Sequence, residues 1–395
     1  MDARHIGVTR ERTPGENRVA LTPDAVKTLR AEGEHIMVER GAGAAAGIAD
    51  ADYDAVGATL VDDAAAVHDR ANVICRVRIL TPEADRNRLR AGRIVVGLGQ
   101  PWDDADAVTA LAETGVTAFA LELLPRITRA QSMDVLSSQA NIAGYKAVLL
   151  AAARLNRFFP MLMTAAGTVT PARVLVIGAG VAGLQAIATA RRLGAVVIGY
   201  DIRPAVREQV ESLGARFLEL EAPGTDGEDR GGYARALTDE QLAQQQAQME
   251  DAIAQSDVVI TTAAVPGRPA PRLVPGTAVE RMRPGSVIVD LAAERGGNCE
   301  LTRPDEEVLH RHVLILGPTN LPATLAADAS RLYARNLASF LKHLRGEELT
   351  FDPRSDDEIV RGTLLTHDGR LVHPRIRNHF KLDADATRPL TPAST

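Results

Sequence analysis

At 395 residues, with 45% hydrophobic and 24% charged residues and a net charge of −6, the chain has a globular composition but is too long for one compact core. The acidic balance gives no reason to expect nucleic acid, and the two cysteines, Cys75 and Cys299, without a C-x-x-C or a histidine cluster, indicate neither a disulfide framework nor a metal site. The opening MDARHIGVTRERTPGENR lacks the apolar segment of a signal peptide, and the longest uncharged run, Val174 to Ala190, is 17 residues interrupted by a glycine turn, so the chain is expected in the cytoplasm and any membrane connection through a partner.

The first third alternates strands and helices, the pattern of a largely parallel sheet. Strands are expected at His5 to Val8, His35 to Glu39, Thr59 to Val61, Val73 to Val77, Ile94 to Leu98 and Thr117 to Leu121. Between them lie a helix opened by Thr22-Pro23-Asp24 and running to Arg30, one near Ala64 to His68, and one from Asp104 to Glu113. No phosphate-binding fingerprint occurs in this region.

A polar stretch follows, LLPRITRAQSMDVLSSQ, which crowds Arg126, Arg129, Gln131, Asp134, Ser137, Ser138 and Gln139 together before a helix expected from Met133 to Leu155. Two readings stand side by side. One is a solvated loop with a capped helix start; the other is a set of arginine, amide and carboxylate groups able to hold a carboxamide and a ribose.

The stretch RVLVIGAGVAGLQAIATARRLGAVVIGYD carries every component of a dinucleotide-binding βαβ half. A strand, Arg173 to Ile177, stops at Gly178-Ala179-Gly180-Val181-Ala182-Gly183, a G-x-G-x-x-G where strand should turn into helix. The first glycine permits the tight turn, the second lets backbone approach a pyrophosphate, and the third lets helix and strand pack closely. The helix Val181 to Leu193 ends at Gly194, and the next strand, Ala195 to Tyr200, closes on Asp201, 23 residues after Gly178. A carboxylate there accepts from the adenosine ribose hydroxyls and repels a 2′-phosphate, which favours NAD(H) over NADP(H); Arg203 argues the other way, since an arginine nearby can hold a 2′-phosphate. A glycine-tolerant turn in any α/β protein is the bland alternative.

Beyond Asp201, buried strands are expected at Asp257 to Thr262, Ser286 to Asp290 and His312 to Gly317. The insert GTDGEDRGGYARALTDEQLAQQQAQMED begins as a long glycine- and acid-rich loop, either a lid or a plain connection, and ends as a solvated helix. Ser330 to Leu344 reads as a second long helix, Val360 to Val372 as a β-hairpin around His367-Asp368-Gly369, and the last residues as a disordered tail. The fold class is α/β, with two Rossmann-like domains of parallel doubly wound sheets joined by long connecting helices. Residues 1–130, completed by 331–378, form one; residues 131–330 form the dinucleotide-binding one; 379–395 are tail.

From ERTPGENRVALTP to GTLLTHDGRLVHP the chain resembles the soluble NAD(H)-binding alpha subunit of proton-translocating NAD(P) transhydrogenase, in the form whose alpha subunit is split into a soluble first polypeptide and a membrane-spanning second one. PRITRAQSMDVLSSQ, MLMTAAGTVTPARVLVIGAGVAGLQAIATARRLGA and PGSVIVDLAAERGGNC carry the likeness. The resemblance implies a Re/Si-specific NAD(P)+ transhydrogenase active only with its partner subunits. NAD(H) would be held here while hydride passes to or from NADP(H) on the beta subunit, with proton movement through the membrane subunits, among them the membrane-spanning second alpha polypeptide. It implies a homodimer and no metal.

By similarity, Arg126, Gln131 and Asp134 would position the nicotinamide without acid/base chemistry, with Ile127, Thr128, Arg129 and Ser137 beside them. Gly178, Ala179, Gly180, Val181 and Gly183 would take the pyrophosphate. Asp201, Ile202 and Arg203 would meet the adenosine end, and Gly232-Tyr233 would belong to a loop closing over the nucleotide.

The related alanine dehydrogenases give the alternative reading, an NAD-dependent amino-acid oxidoreductase. ENRVALTP keeps Arg18, which there would hold a substrate carboxylate, but Arg76 stands where a lysine is expected, Gly99 where a catalytic histidine is expected, and Glu294 where an aspartate is expected. A non-enzymatic NAD sensor or scaffold is the third reading.

Overall fold

The structure, a computed structural model, describes residues 5–80, 86–220, 238–265, 267–345 and 356–382. In chain order the elements begin with β1 (His5–Val8), α1 (Pro23–Ala31), β2 (His35–Glu39), α2 (Asp50–Ala55), β3 (Thr59–Val61), α3 (Ala64–Arg70), β4 (Val73–Arg78), β5 (Ile94–Leu98), α4 (Ala105–Glu113) and β6 (Thr117–Ala120). Then come α5 (Val135–Arg154), β7 (Leu162–Thr164), β8 (Gly167–Val169), β9 (Arg173–Ile177), α6 (Val181–Arg192), β10 (Val196–Tyr200), α7 (Arg207–Ser212) and β11 (Arg216–Phe217). The chain continues with α8 (Asp239–Ala254), β12 (Val258–Thr261), α9 (Gly276–Glu280), β13 (Val287–Asp290), β14 (Glu307–His310) and β15 (Val313–Leu316). It ends with α10 (Ala326–Arg345), α11 (Glu358–Thr363), β16 (Leu364–His367), β17 (Arg370–Leu371) and α12 (Pro374–Phe380).

Two compact units result, Met1–Gln139 with Pro322–Thr395, and Ala140–Leu321. The boundaries fall at 139/140, inside α5, and at 321/322, rather than at 130/131 and 330/331. Packing gives the reason. Ala130, Met133 and Val135 are buried in the first unit's core, Gln139 Nε2 donates to the Ala329 carbonyl at 3.1 Å, and the Val19 N–H donates to Ser330 Oγ at 3.0 Å. The long helix α10 therefore belongs to the first unit along its whole length, burying Tyr333, Leu337, Phe340, Leu341 and Leu344 along one face at helical spacing.

Each unit is built on a sheet of the same order. In the first it runs β3-β2-β1-β4-β5-β6, all parallel, extended by the antiparallel pair β16-β17. In the second it runs β11-β10-β9-β12-β13-β15, all parallel, with β14 antiparallel at the edge. Strands covered on both faces read as continuous apolar runs, and all four residues of β12 and of β13 are buried accordingly. The strand order reverses between β1 and β4 in one sheet and between β9 and β12 in the other, the positions where doubly wound sheets open a crevice.

The hairpin expected from Val360 is shorter. The Asp357 carboxylate accepts from the Ile359 and Val360 N–H groups and starts α11, so the hairpin spans only Leu364 to Leu371, with Asp368 and Gly369 at φ of 49° and 74° in its turn. Thr22 is the backbone N-cap of α1, yet its side chain makes no capping bond. The loop expected at Gly224 to Tyr233, with Gly232 and Tyr233, lies outside the described residues, as does the tail beyond Leu382.

Candidate dinucleotide-binding site

In the second unit the turn after β9 is arranged as its glycines demand. Gly178 has φ +98°, and a Cβ there would stand 2.6 Å from Thr262 Oγ1; a Cβ at Gly183 would stand 1.8 Å from the Gly178 carbonyl oxygen. Gly180 is different, since a Cβ there would meet nothing within 4 Å. It faces open space, as a glycine must where a ligand is to approach the backbone. Gly180 is also the N-cap of α6 and offers no side chain to the helix's first N–H groups. The residues present therefore fit a pyrophosphate, with unclaimed N–H donors, the positive end of the helix dipole and an open approach.

Asp201 follows β10 directly, beside this turn, and is 9% exposed. Its Oδ2 accepts from the Ala179 N–H at 2.8 Å, tying the second strand to the glycine turn. Arg203 takes the rest: its N–H and Nε each donate to Oδ1 at 2.9 Å, and Nη2 donates to Oδ2 at 2.9 Å. Burial pushes the Asp201 carboxyl up, but the donors of Arg203 and the Ala179 N–H outweigh it and hold it below the usual carboxylate range. Ile202 between them is 80% exposed, an apolar side chain held out beside the acid.

Behind the turn lies a set of contacts that sequence reasoning did not single out. Thr262 Oγ1 donates to the Gly178 carbonyl at 2.9 Å. Asn298 grips the next residue on both sides, accepting from the Ala263 N–H at 3.0 Å and donating to the Ala263 carbonyl at 2.8 Å. Asp290, fully buried, accepts from the Thr261 and Thr302 hydroxyls at 2.8 and 2.7 Å and from the Ala292 and Cys299 N–H groups. The ends of β12 and β13 are thus fixed against the turn at the crevice between β9 and β12. Gly144 on α5 was also missed: a Cβ there would stand 2.0 Å from the Ala182 carbonyl oxygen in the first turn of α6. Neither contact has a local signal, because both join residues far apart in sequence.

The polar stretch lies in the first unit. Thr128 to Met133 form a 3-10 helix, and the Asp134 carboxylate accepts from the Ser137 N–H at 2.9 Å and from the Ser137 hydroxyl at 2.6 Å. This pair caps α5, so the capped-start reading holds for these two residues. Arg129 pairs with Asp357 at 3.1 Å, and Ile127 is partly buried against the core. Arg126, Thr128 and Gln131 are not buried.

In the first unit, charged side chains after β1 and at the end of β4 pair with one another. Arg18 Nε and Nη2 donate to Glu16 at 2.7 and 2.6 Å, its Nη1 donates to Gln139 Oε1 at 2.8 Å, and Arg78 reaches Glu16 at 3.4 Å and also bonds Gln100. Glu11 accepts from the Val77 N–H at 2.7 Å. A side chain at Gly99 would be aimed at Ile79, 3.2 Å from its Cδ1, so Gln100 rather than residue 99 joins the charged cluster. Glu294 is exposed, while Asp290 is the buried acid of its segment.

Two family models cover the chain: "Alanine dehydrogenase/PNT, N-terminal domain" matches residues 7–143 and "Alanine dehydrogenase/PNT, C-terminal domain" residues 147–374. The chain belongs to the alanine dehydrogenase/PNT family. The seam between the two family domains falls in α5, as the boundary between the two units does. Among members of the family, an NAD(P) transhydrogenase subunit alpha (first polypeptide) of Rhodospirillum rubrum is 47% identical over 378 residues, covering 94% of this chain and 98% of that one. The crystal structure of a transhydrogenase from Sinorhizobium meliloti matches with a TM-score of 0.84 and 46% identity, covering 93% of this chain and 100% of that one. An alanine dehydrogenase of Mycobacterium tuberculosis is 30% identical over 378 residues, 94% of this chain and 95% of that one. These identities set the chain nearer the transhydrogenase alpha subunits than the alanine dehydrogenases. Among the described residues no helix is long and apolar enough to cross a membrane, and no group of three or more His, Cys, Asp or Glu is placed to hold a metal.

Proposed function

We propose that this chain is the NAD(H)-binding subunit of a Re/Si-specific, proton-translocating NAD(P)+ transhydrogenase. It holds NAD(H), while the NADP(H)-binding beta subunit presents NADP(H) and the membrane subunits, including the second alpha polypeptide, carry the coupled proton. The observation that carries this reading is a near full-length identity of 47% to a transhydrogenase alpha polypeptide in a chain whose dinucleotide turn is complete.

When bound, the nicotinamide supplies the hydride donor or acceptor; the chain's own residues bind and orient. The N–H groups at Gly180 to Gly183 take the pyrophosphate charge. Asp201 accepts from the adenosine ribose hydroxyls, and Ile202 offers apolar surface to the base. By resemblance, Arg126, Ile127, Thr128, Arg129, Gln131, Asp134 and Ser137 serve the nicotinamide and its ribose. No acid/base side chain is needed, because hydride transfer asks mainly for two rings held at reacting distance away from water.

The chain alone should bind NADH, seen as a change in its fluorescence, and sustain no transhydrogenation. Adding the beta subunit and the membrane-spanning alpha polypeptide should start NADH-dependent reduction of an NADP+ analogue. A reconstituted complex that binds both nucleotides yet transfers no hydride would remove the proposal. The same reading makes the chain a homodimer through an exposed apolar face: Phe158, Met161 and Met163 are 58%, 57% and 78% exposed at and beside the β7-β8 hairpin. Light scattering should give twice the mass of one chain, and half of that for Met163→Glu; a single-chain mass for the unaltered protein contradicts it.

A further inference from the structure

We infer that Arg203 is a built-in competitor for the adenosine ribose: its guanidinium occupies the lone pairs of Asp201 that a ribose diol needs, and must leave them for NAD(H) to bind there. The inference rests on the assignment of Asp201 to the ribose and goes beyond it by naming what occupies that carboxylate beforehand. An ionised carboxylate has about four lone-pair sites. Here all four are in use. Two are taken by backbone N–H groups: that of Ala179, which ties the glycine turn to Asp201, and that of Arg203, which closes a local turn just after β10. The other two are taken by the Nε and Nη2 of the Arg203 guanidinium in a side-on fork, each at 2.9 Å.

A vicinal diol donating two O–H groups needs two of those sites. The Ala179 bond cannot give way without opening the glycine turn, and the Arg203 N–H is held by the local backbone, whereas the guanidinium sits on a side chain that is 58% exposed and can swing into water. Ribose and guanidinium therefore draw on the same two lone pairs. The fork also gives the carboxylate, 9% exposed, a counter-charge.

The test is NADH titration by fluorescence on the full chain, comparing wild type with Arg203→Met, which keeps the aliphatic stem and removes the fork. An exposed ion pair couples weakly, so the dissociation constant should fall by about three- to tenfold. The gain should shrink as salt is raised, because salt already weakens the competing pair. It should vanish in an Asp201→Asn background, where Arg203→Met has no carboxylate to release. A structural role for Arg203 would produce neither the salt dependence nor this coupling. Unchanged or weaker NADH binding by Arg203→Met, in a wild type that binds NADH, overturns the inference and makes Arg203 a bystander or a direct ligand. A wild type that binds no NADH brings down the cofactor assignment itself, and this inference with it.

Discussion

Gln131 illustrates what one residue does and does not disclose. It stands exposed on a 3-10 turn, which suits a side chain serving a carboxamide and equally suits any surface glutamine. Only the family resemblance separates the two. Rate should separate them in solution: Gln131→Asn is expected to leave NADH binding nearly intact while slowing hydride transfer in the reconstituted complex by about tenfold or more, since small misplacements of a reacting ring are costly. Equal losses in binding and rate would reduce Gln131 to a binding residue. The place of Asp201 beside the glycine turn was legible because its spacing from Gly178 is fixed by the length of one strand-helix-strand passage. Its capture by Arg203 was not legible, because the same two residues at the same spacing also allow an arginine turned toward a 2′-phosphate. Asp134 and Ser137 show the reverse difficulty, for the contact that caps α5 uses the groups that the site reading needs.

At the scale of elements, periodicity found every parallel strand but the two-residue edge strand β11, most clearly the central ones, whose two faces are buried and whose apolar runs are unbroken. It missed β14, whose alternating half-exposed residues make a weak edge strand, and it missed α11, which depends on the Asp357 cap just ahead of the expected hairpin. The close approach of α5 to α6 was out of reach for another reason: it needs a glycine at position 144 to face a carbonyl nearly forty residues later. That approach fixes the first turn of α6, the turn that presents the phosphate donors. Gly144→Ala places a methyl 2.0 Å from the Ala182 oxygen, so the helices must separate. Overpacking of this kind costs about 1–3 kcal/mol. Both the thermal midpoint and NADH affinity should fall, in a melt and a titration of the same sample. A lower midpoint with wild-type NADH affinity would show that the helix contact does not set the turn.

The whole molecule repeats one strand order twice and uses it differently each time. At the β9/β12 reversal a glycine turn leaves open space in front of a helix N-terminus. At the β1/β4 reversal Glu11, Glu16, Arg18, Arg78 and Gln100 gather the chain's own charges, and the loop after β1 carries no G-x-G-x-x-G. One nucleotide per chain is the expected stoichiometry, and under the proposed function the second nucleotide of the hydride exchange arrives on another polypeptide. The same cluster decides between the family's two chemistries. An amino-acid oxidoreductase needs a cation ready for a substrate carboxylate and a group able to exchange protons with an imine. Arg18 is already engaged by Glu16 and Gln139, Arg76 is buried on β4 with its carbonyl accepting from the Tyr333 hydroxyl at 2.8 Å, and residue 99 is a glycine facing Ile79. The isolated chain should therefore show no NADH-dependent amination of pyruvate, measured as NADH loss and alanine gained with ammonia present. Robust alanine formation would mean that the Glu16 fork opens for substrate and that another side chain supplies the proton, and it would move the chain from the transhydrogenase branch to the dehydrogenase one.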